Sequence, residues 1–154
     1  MSTAHHISIK SPVGDLTLFE EDGAIVALEW GRVPGGRETP LLKKAAKQIG
    51  DYFAGKRAAF DVALNPAGTA FQKKVWRELQ KIPRGKTRSY GEIAKKLKTA
   101  PRAVGGACGA NPIPVLIPCH RVLGQGGALG GFSGGNGTDT KARMLALEGV
   151  ETDA

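Results

Sequence analysis

The spacing of apolar residues changes along this 154-residue chain, and that change limits the fold more than any single motif does. Residues 5–30 alternate apolar and polar side chains, interrupted by Gly14 and Gly23, which is typical of a short antiparallel meander. From Thr69 onward the apolar residues recur at helical spacing instead. The chain is therefore predicted to be α+β, with its sheet at the N-terminal end and most of its helices beyond residue 66.

The N-terminal part is predicted to be a small α/β domain over residues 1–66. Apolar residues three and four positions apart indicate a helix near residues 40–54, and renewed alternation over residues 60–64 indicates one more strand. The segment 65–68 contains proline and glycine, as linkers do, and introduces a C-terminal domain over residues 67–154.

Two capping boxes mark helix starts in the C-terminal half. Thr69 with Gln72, and Ser89 with Glu92, each place a hydroxyl three residues before a side chain that can reach back to the helix start. Pro101 suits the first turn of a further short helix. The two short helices after Ser89 form a candidate helix-turn-helix. That motif alone is a weak indication, because many helical hairpins bind nothing.

The net charge of +8 is confined to the C-terminal half. Residues 1–65 hold eight Lys/Arg and eight Asp/Glu, whereas residues 66–154 hold fourteen and six. This excess beside a candidate helix-turn-helix favours nucleic acid as the partner, and a solvated basic surface is the alternative. No apolar run approaches the roughly 18 residues of a membrane span, and no signal-peptide segment is recognisable. A cytoplasmic protein without a membrane partner is therefore expected.

The predicted helix after Pro101 carries Arg102 and then no long polar side chain as far as residue 110. A regulator's recognition helix normally carries such side chains, because they hydrogen-bond the edges of bases. A smooth helix would instead let its backbone lie close to DNA and contact phosphates and groove shape in any sequence. Tight packing of the same small residues in the protein core is the alternative.

A cysteine between a proline and a histidine is the candidate reactive group. Residues 117–122 read Ile-Pro-Cys-His-Arg-Val, so that Cys119 is followed by His120 and Arg121. A thiolate is the nucleophilic form, and a neighbouring His or Arg is expected to lower the pKa of the cysteine. The other cysteine is Cys108, and two cysteines are too few for a disulfide framework, which suits a reduced, cytosolic setting.

The run Pro-Cys-His-Arg-Val, with Asn111-Pro112 upstream, resembles the signature of the O6-alkylguanine-DNA alkyltransferases, the methylated-DNA–protein-cysteine methyltransferases. The resemblance covers roughly residues 68–148 and, more loosely, the N-terminal part. It implies a ribonuclease H-like N-terminal domain and a mostly helical C-terminal domain with a helix-turn-helix. It also implies direct repair of duplex DNA by a monomer without a cofactor. An alkyl group would move irreversibly from O6 of guanine, and from O4 of thymine, to Cys119 after base flipping.

The resemblance also assigns roles to side chains. His120 would act as the base, through a water, and Glu148 would orient it. Tyr90 would stack near the flipped base and donate a proton to the departing guanine, while Arg102 would fill the gap in the stack. Asn111 would tie two backbone segments together, which an Asx turn explains equally well. Further implied contacts to the base or the DNA come from Ser133, Phe132, Val122, Pro114, Cys108, Ala103 and Gly105.

Two positions depart from the family pattern. Phe132 stands where many relatives have tyrosine, and Cys108 where several have methionine. A smaller wall at Cys108 would admit alkyl groups bulkier than methyl, and a plain apolar wall residue is the alternative. No metal site is expected, because the cysteines and His120 lack the paired spacings of structural zinc. Two further functions stay open, a non-catalytic binder of alkylated DNA and a helix-turn-helix regulator.

Overall fold

The computed structural model describes residues 5–129 and 137–150. Within them the strands are β1 (His5–Ile9), β2 (Leu16–Glu21), β3 (Ala24–Trp30), β4 (Arg88–Ser89) and β5 (Val122–Leu123). The helices are α1 (Pro40–Phe53), α2 (Ala70–Gln80), α3 (Tyr90–Leu97), α4 (Pro101–Gly109) and α5 (Thr138–Leu147), and 3₁₀ turns cover Cys119–Arg121 and Gln125–Gly127. None of these helices is long and apolar enough to cross a membrane.

The N-terminal sheet is the predicted antiparallel meander, in the order β1-β2-β3. A two-residue loop joins β2 to β3, and its residues Asp22 and Gly23 both have positive φ (49° and 79°), as such hairpin turns require. α1 packs against β1 and β2 and buries Leu42, Ala45 and Ile49. The sheet and this helix form the expected N-terminal α/β unit.

The strand predicted over residues 60–64 is wrong. Only Leu64 forms a β-bridge, with Ile25, and the backbone N–H of Asp61 donates to the side chain of Gln48 on α1 (2.8 Å). The apolar residues of this segment are partly buried against the core although only one of them pairs with the sheet. Their alternation therefore reflects an extended chain that packs beside α1 and β3.

The C-terminal half contains the predicted helix-turn-helix. Both capping boxes form, one at the start of α2 and one at the start of α3. α3 ends at Leu97, and the next residue, Lys98, has a φ of 57° in the left-handed region before a short turn leads to Pro101 at the start of α4. Trp76 of α2 is buried, and its indole N–H donates to the carbonyl of Ala107 on α4 (2.8 Å). The α+β fold class is confirmed.

The two halves share one apolar core and direct hydrogen bonds. The backbone N–H of Leu28 on β3 donates to the carbonyl of Pro112, just before the segment that leads to Cys119 (2.9 Å). The backbone N–H of Asn65 still bonds to the sheet, at the carbonyl of Ile25 (2.9 Å). The division of the chain at residue 66 stays a prediction.

Candidate active site

The candidate nucleophile lies at the end of a tightly tied loop. Cys119 opens a 3₁₀ turn and is 7% exposed. The side-chain N–H of Asn111 donates to the carbonyl of Ile117 (2.8 Å), and its side-chain oxygen accepts from the backbone N–H of Ile113 (2.9 Å). Asn111 thus makes an Asx turn and also joins two backbone segments, so that the two readings of this residue are compatible.

Burial, not a neighbouring cation, dominates the chemistry of the thiol. Burial raises the pKa of Cys119, against a hydrogen bond from the Asn111 side chain and the charge of Lys141, which lower it. Arg121 pairs with Glu148 instead of with the thiol (Nη2 to Oε2, 2.8 Å). The expectation that an adjacent cation lowers the pKa of this cysteine is therefore wrong, and the thiol is protonated at rest.

His120 is fully buried and hydrogen-bonded through one ring nitrogen. Its Nε2 lies 2.8 Å from Oε2 of Glu148, whereas its buried Nδ1 has no hydrogen-bond partner among residues 5–129 and 137–150. Burial lowers the pKa of His120, against Glu148, which raises it, so the imidazole is neutral. A neutral ring that meets a carboxylate through Nε2 carries its proton there, which leaves the lone pair of Nδ1 to accept a proton.

Glu148 is the acceptor on which four groups converge. Besides His120, Arg121 donates to both carboxylate oxygens through Nε and Nη2 (2.8 to 3.1 Å). The backbone N–H of Gly85 donates to Oε1 (3.3 Å), and the hydroxyl of Tyr52 donates to Oε2. Burial acts to raise the pKa of Glu148, but the hydrogen bonds from His120 and Arg121 hold it far below its usual range. Glu148 is thus a carboxylate at neutral pH and orients His120 without taking its proton.

Sequence reasoning missed two buried side chains of this site. Tyr52 comes from α1, and its helical spacing indicates only core packing. Lys141 of α5 is fully buried, with its Nζ 3.4 Å from the hydroxyl of Tyr90. Burial lowers the pKa of Lys141 and raises that of Tyr90 to about 12. Lys141 lies seven residues before Glu148, and residues at this spacing share a helix face. That spacing is the feature of the sequence from which Lys141 could have been identified.

Cys119 lines a groove of about 1100 Å³ between β3 and α4. Val122 is buried on β5 and Ala103 is half-buried on α4, and neither lines the described part of this groove. Phe132 and Ser133 lie outside the described residues. The described part of the chain holds no group of His, Cys, Asp or Glu suited to a metal ion. His120 and Glu148 are buried and do not line the groove either. The remaining predicted residues line the groove together with Cys119, namely Tyr90, Arg102, Gly105, Cys108, Asn111 and Pro114.

α4 presents its glycines to open space. A β-carbon added at Gly105, Gly106 or Gly109 would meet nothing within 4 Å among the described residues. Arg102 is exposed at the start of the same helix, while the opposite face is buried in the core. Tight core packing therefore does not explain these glycines. Each weakens the helix by up to about 1 kcal/mol relative to alanine, and no contact with residues 5–129 or 137–150 requires it.

Two family descriptions together match nearly the whole chain. The ribonuclease-like domain of 6-O-methylguanine DNA methyltransferase matches residues 5–66. The DNA binding domain of 6-O-methylguanine DNA methyltransferase matches residues 70–150.

Individual proteins are similar over almost their full length. A methylated-DNA–protein-cysteine methyltransferase of Mycolicibacterium paratuberculosis is 46% identical over 92% of this chain and 90% of the relative. The constitutive methylated-DNA–protein-cysteine methyltransferase of Bacillus subtilis is 38% identical over 95% and 96%. The crystal structure of Mycobacterium tuberculosis OGT in complex with DNA aligns with a TM-score of 0.84, at 42% identity over 94% of this chain and 92% of that one.

The buried neutral imidazole predicts that stability falls as the pH drops below 6.5, the ordinary pKa of histidine. The fold holds His120 neutral, whereas the unfolded chain takes up a proton there. The free energy of unfolding should therefore fall by up to about 1.4 kcal/mol per pH unit below that value. Urea unfolding from pH 7 to about pH 5 measures this slope.

Two variants locate the source of that slope. His120→Gln should flatten it, whereas the double variant His5→Asn/His6→Asn, which retains His120, should keep it. An equal slope in His120→Gln and the unaltered protein would mean that His120 is not held neutral.

Proposed function

The chain belongs to the 6-O-methylguanine DNA methyltransferase family, and we propose that it repairs DNA by moving a methyl group from O6 of guanine to its own Cys119. One observation carries the proposal: a protonated thiol, a neutral imidazole and a carboxylate are buried together beside an open groove. The glycine face of α4 borders that groove, as close contact with a DNA backbone requires.

The damaged base must leave the duplex before it can reach Cys119, because the thiol is buried beneath the groove. Unstacking costs a few kcal/mol, which is least for a damaged base. Arg102 is exposed at the start of α4, where its planar guanidinium can enter the stack and replace the base. Tyr90, Pro114 and Cys108 then surround the flipped base within the groove.

The proton of the thiol leaves through His120. Nδ1 of His120 accepts it, with a water between the two side chains, and the imidazolium is stabilised by Glu148. Sulfur then attacks the methyl carbon, so that the S–C bond forms as the bond from carbon to O6 breaks. Because burial raises the pKa of Cys119, the thiolate is short-lived and forms only as the reaction proceeds.

The departing guanine takes its proton from Tyr90. Tyr90 lines the groove, and its hydroxyl retains its proton at neutral pH, since burial raises its pKa to about 12. Lys141 lies behind it at 3.4 Å and can return a proton to the tyrosinate. The guanine therefore leaves neutral, and the two protons move at opposite sides of the reacting carbon.

The product is a thioether, which water does not readily hydrolyse, so each molecule acts once. We extend the proposal to O4 of thymine, because that position presents the same alkyl–oxygen bond. Both cysteines of the chain are free thiols, which supports a reducing, cytoplasmic setting, and we propose that the protein acts there as a monomer.

Two rival functions explain less of the site. A non-catalytic binder of alkylated DNA would have no use for a thiol beside a buried histidine–carboxylate pair. A sequence-specific regulator needs polar side chains on its recognition helix, and beyond Arg102 the exposed face of α4 is formed by glycines and alanines.

The first prediction from the proposed function concerns methyl transfer itself. Incubation with a duplex that carries one O6-methylguanine should add one methyl group to the protein, and peptide mapping should place it on Cys119. Cys119→Ser should bind the duplex and gain no mass, while Cys108→Ser should still be methylated on Cys119. Binding of the damaged duplex without a gain in mass would instead support the non-catalytic binder.

The second prediction separates stability from DNA binding on α4. Gly105→Ala should stabilise the fold by about 0.5 to 1 kcal/mol, since it removes a helical glycine. It should also weaken duplex binding by about tenfold, or about 1.4 kcal/mol, because a methyl group then stands on the contact face. Gly50→Ala, on the exposed face of α1, is the matched control and should stabilise the fold without changing the Kd. Equal Kd values for both variants would mean that this face of α4 does not contact the DNA.

The third prediction concerns the size of the alkyl group. Cys108 is buried in the wall of the groove, where burial raises its pKa to about 12 and makes its thiol a poor nucleophile. Cys108→Met enlarges this wall and should lower the ratio of benzyl to methyl transfer rates by about tenfold, as overpacking predicts. Single-turnover rates with O6-benzylguanine and O6-methylguanine duplexes measure the ratio. An unchanged ratio would mean that Cys108 does not limit the size of the substrate.

A further inference from the structure

One side chain of the N-terminal half reaches the histidine–carboxylate pair. Tyr52 lies in the last turn of α1 and is fully buried. Its hydroxyl donates to Oε2 of Glu148, the oxygen that also contacts His120, and it lies 3.5 Å from Nε2 of that histidine. One of the hydrogen bonds to the Glu148 carboxylate of the C-terminal half is therefore supplied by the N-terminal half.

Arg84 fixes this tyrosine from the other side. Its guanidinium lies over the Tyr52 ring, 4.6 Å from the centroid, and Nη1 donates to the carbonyl of Tyr52 (2.9 Å). Nη2 donates to the carbonyl of Leu147, the residue before Glu148 (3.1 Å). A single side chain thus ties the end of α1 to the end of α5 and sets the approach of the hydroxyl to the carboxylate.

We propose that Tyr52 is a positioning residue for alkyl transfer, through which the N-terminal half aligns Glu148 with His120. This inference rests on the proposed function, because it assigns Tyr52 a role in that reaction. The hydroxyl shares Oε2 with the histidine and so fixes the direction from which the carboxylate meets the ring. Its hydrogen bond also stabilises the negative charge of the carboxylate, and this weakens the attraction of Glu148 for the positively charged imidazolium.

The other charged groups around the carboxylate remain when the hydroxyl is removed. Arg121 still pairs with it from the 3₁₀ turn, and the N–H of Gly85 still donates to it from the loop after α2. Arg84, from the same loop, donates to the neighbouring carbonyl of Leu147. The charge of Lys141 on α5 lowers the pKa of His120, whereas Glu148 raises it. Since Tyr52 keeps its proton, because burial raises its pKa, the hydroxyl is a donor throughout the working pH range.

Tyr52→Phe removes one oxygen and keeps the ring beneath Arg84. Without this hydrogen bond, the negative charge at Oε2 of Glu148 interacts more strongly with His120, which raises the pKa of the histidine. The acid limb of the pH–rate profile for single-turnover methyl transfer should therefore move up by about one pH unit. The rate on the plateau should fall by about three- to tenfold, because the carboxylate is less well aligned.

Phe60→Leu is the matched control. Its ring packs 5.4 Å from that of Tyr52, so the substitution disturbs the same packing, while the hydroxyl and its bond to Glu148 remain. It should lower the free energy of unfolding and leave the midpoint of the acid limb unchanged.

The outcomes separate the two proposals. An acid limb that stays in place in Tyr52→Phe, with a plateau rate within twofold of the unaltered protein, would reduce Tyr52 to a packing residue. A shift of the same size in Phe60→Leu would attribute the change to loosened packing and would equally overturn the assignment. If the unaltered protein itself transfers no methyl group to Cys119, the proposed function fails instead.

Discussion

The buried carboxylate of Glu148 is the interaction on which the arrangement of the site depends. An unpaired carboxylate inside a protein would be strongly destabilising. This one is stabilised by hydrogen bonds from Arg121, His120, Tyr52 and a backbone N–H. These donors come from separate parts of the chain. Satisfying one charge therefore brings together α1, the 3₁₀ turn of the cysteine, the loop after α2 and the end of α5.

The same burial explains why the thiol is unreactive at rest. A permanently exposed thiolate would be consumed by other electrophiles and oxidants, whereas Cys119 is buried and protonated and His120 is neutral. A reagent that acts once has no means of recovery from such side reactions. In the proposed mechanism, activation is coupled to the arrival of a base in the groove that Tyr90 lines, with Lys141 hydrogen-bonded to that tyrosine.

The sequence predicted local structure well where local rules apply. The meander, both capping boxes and Pro101 at the start of α4 depend on neighbouring residues, and all of them form. Long-range effects were not predictable in the same way. Burial raises the pKa of Cys119, against the expected effect of a neighbouring cation, and Arg121 pairs with Glu148 instead. Tyr52 looked like an ordinary core residue because its partner lies 96 positions away. Residues 60–64 alternate because they pack beside α1 and β3, which their local sequence does not distinguish from a strand.

The most direct test is the protonation state of the His120 ring, read from its ¹⁵N chemical shifts at neutral pH. The chain has only three histidines, so the His120→Gln variant assigns the signals. We predict a neutral ring with its proton on Nε2, facing Glu148, and an unprotonated Nδ1. An imidazolium, or a proton on Nδ1, would contradict the account, because neither form could accept the proton of the thiol.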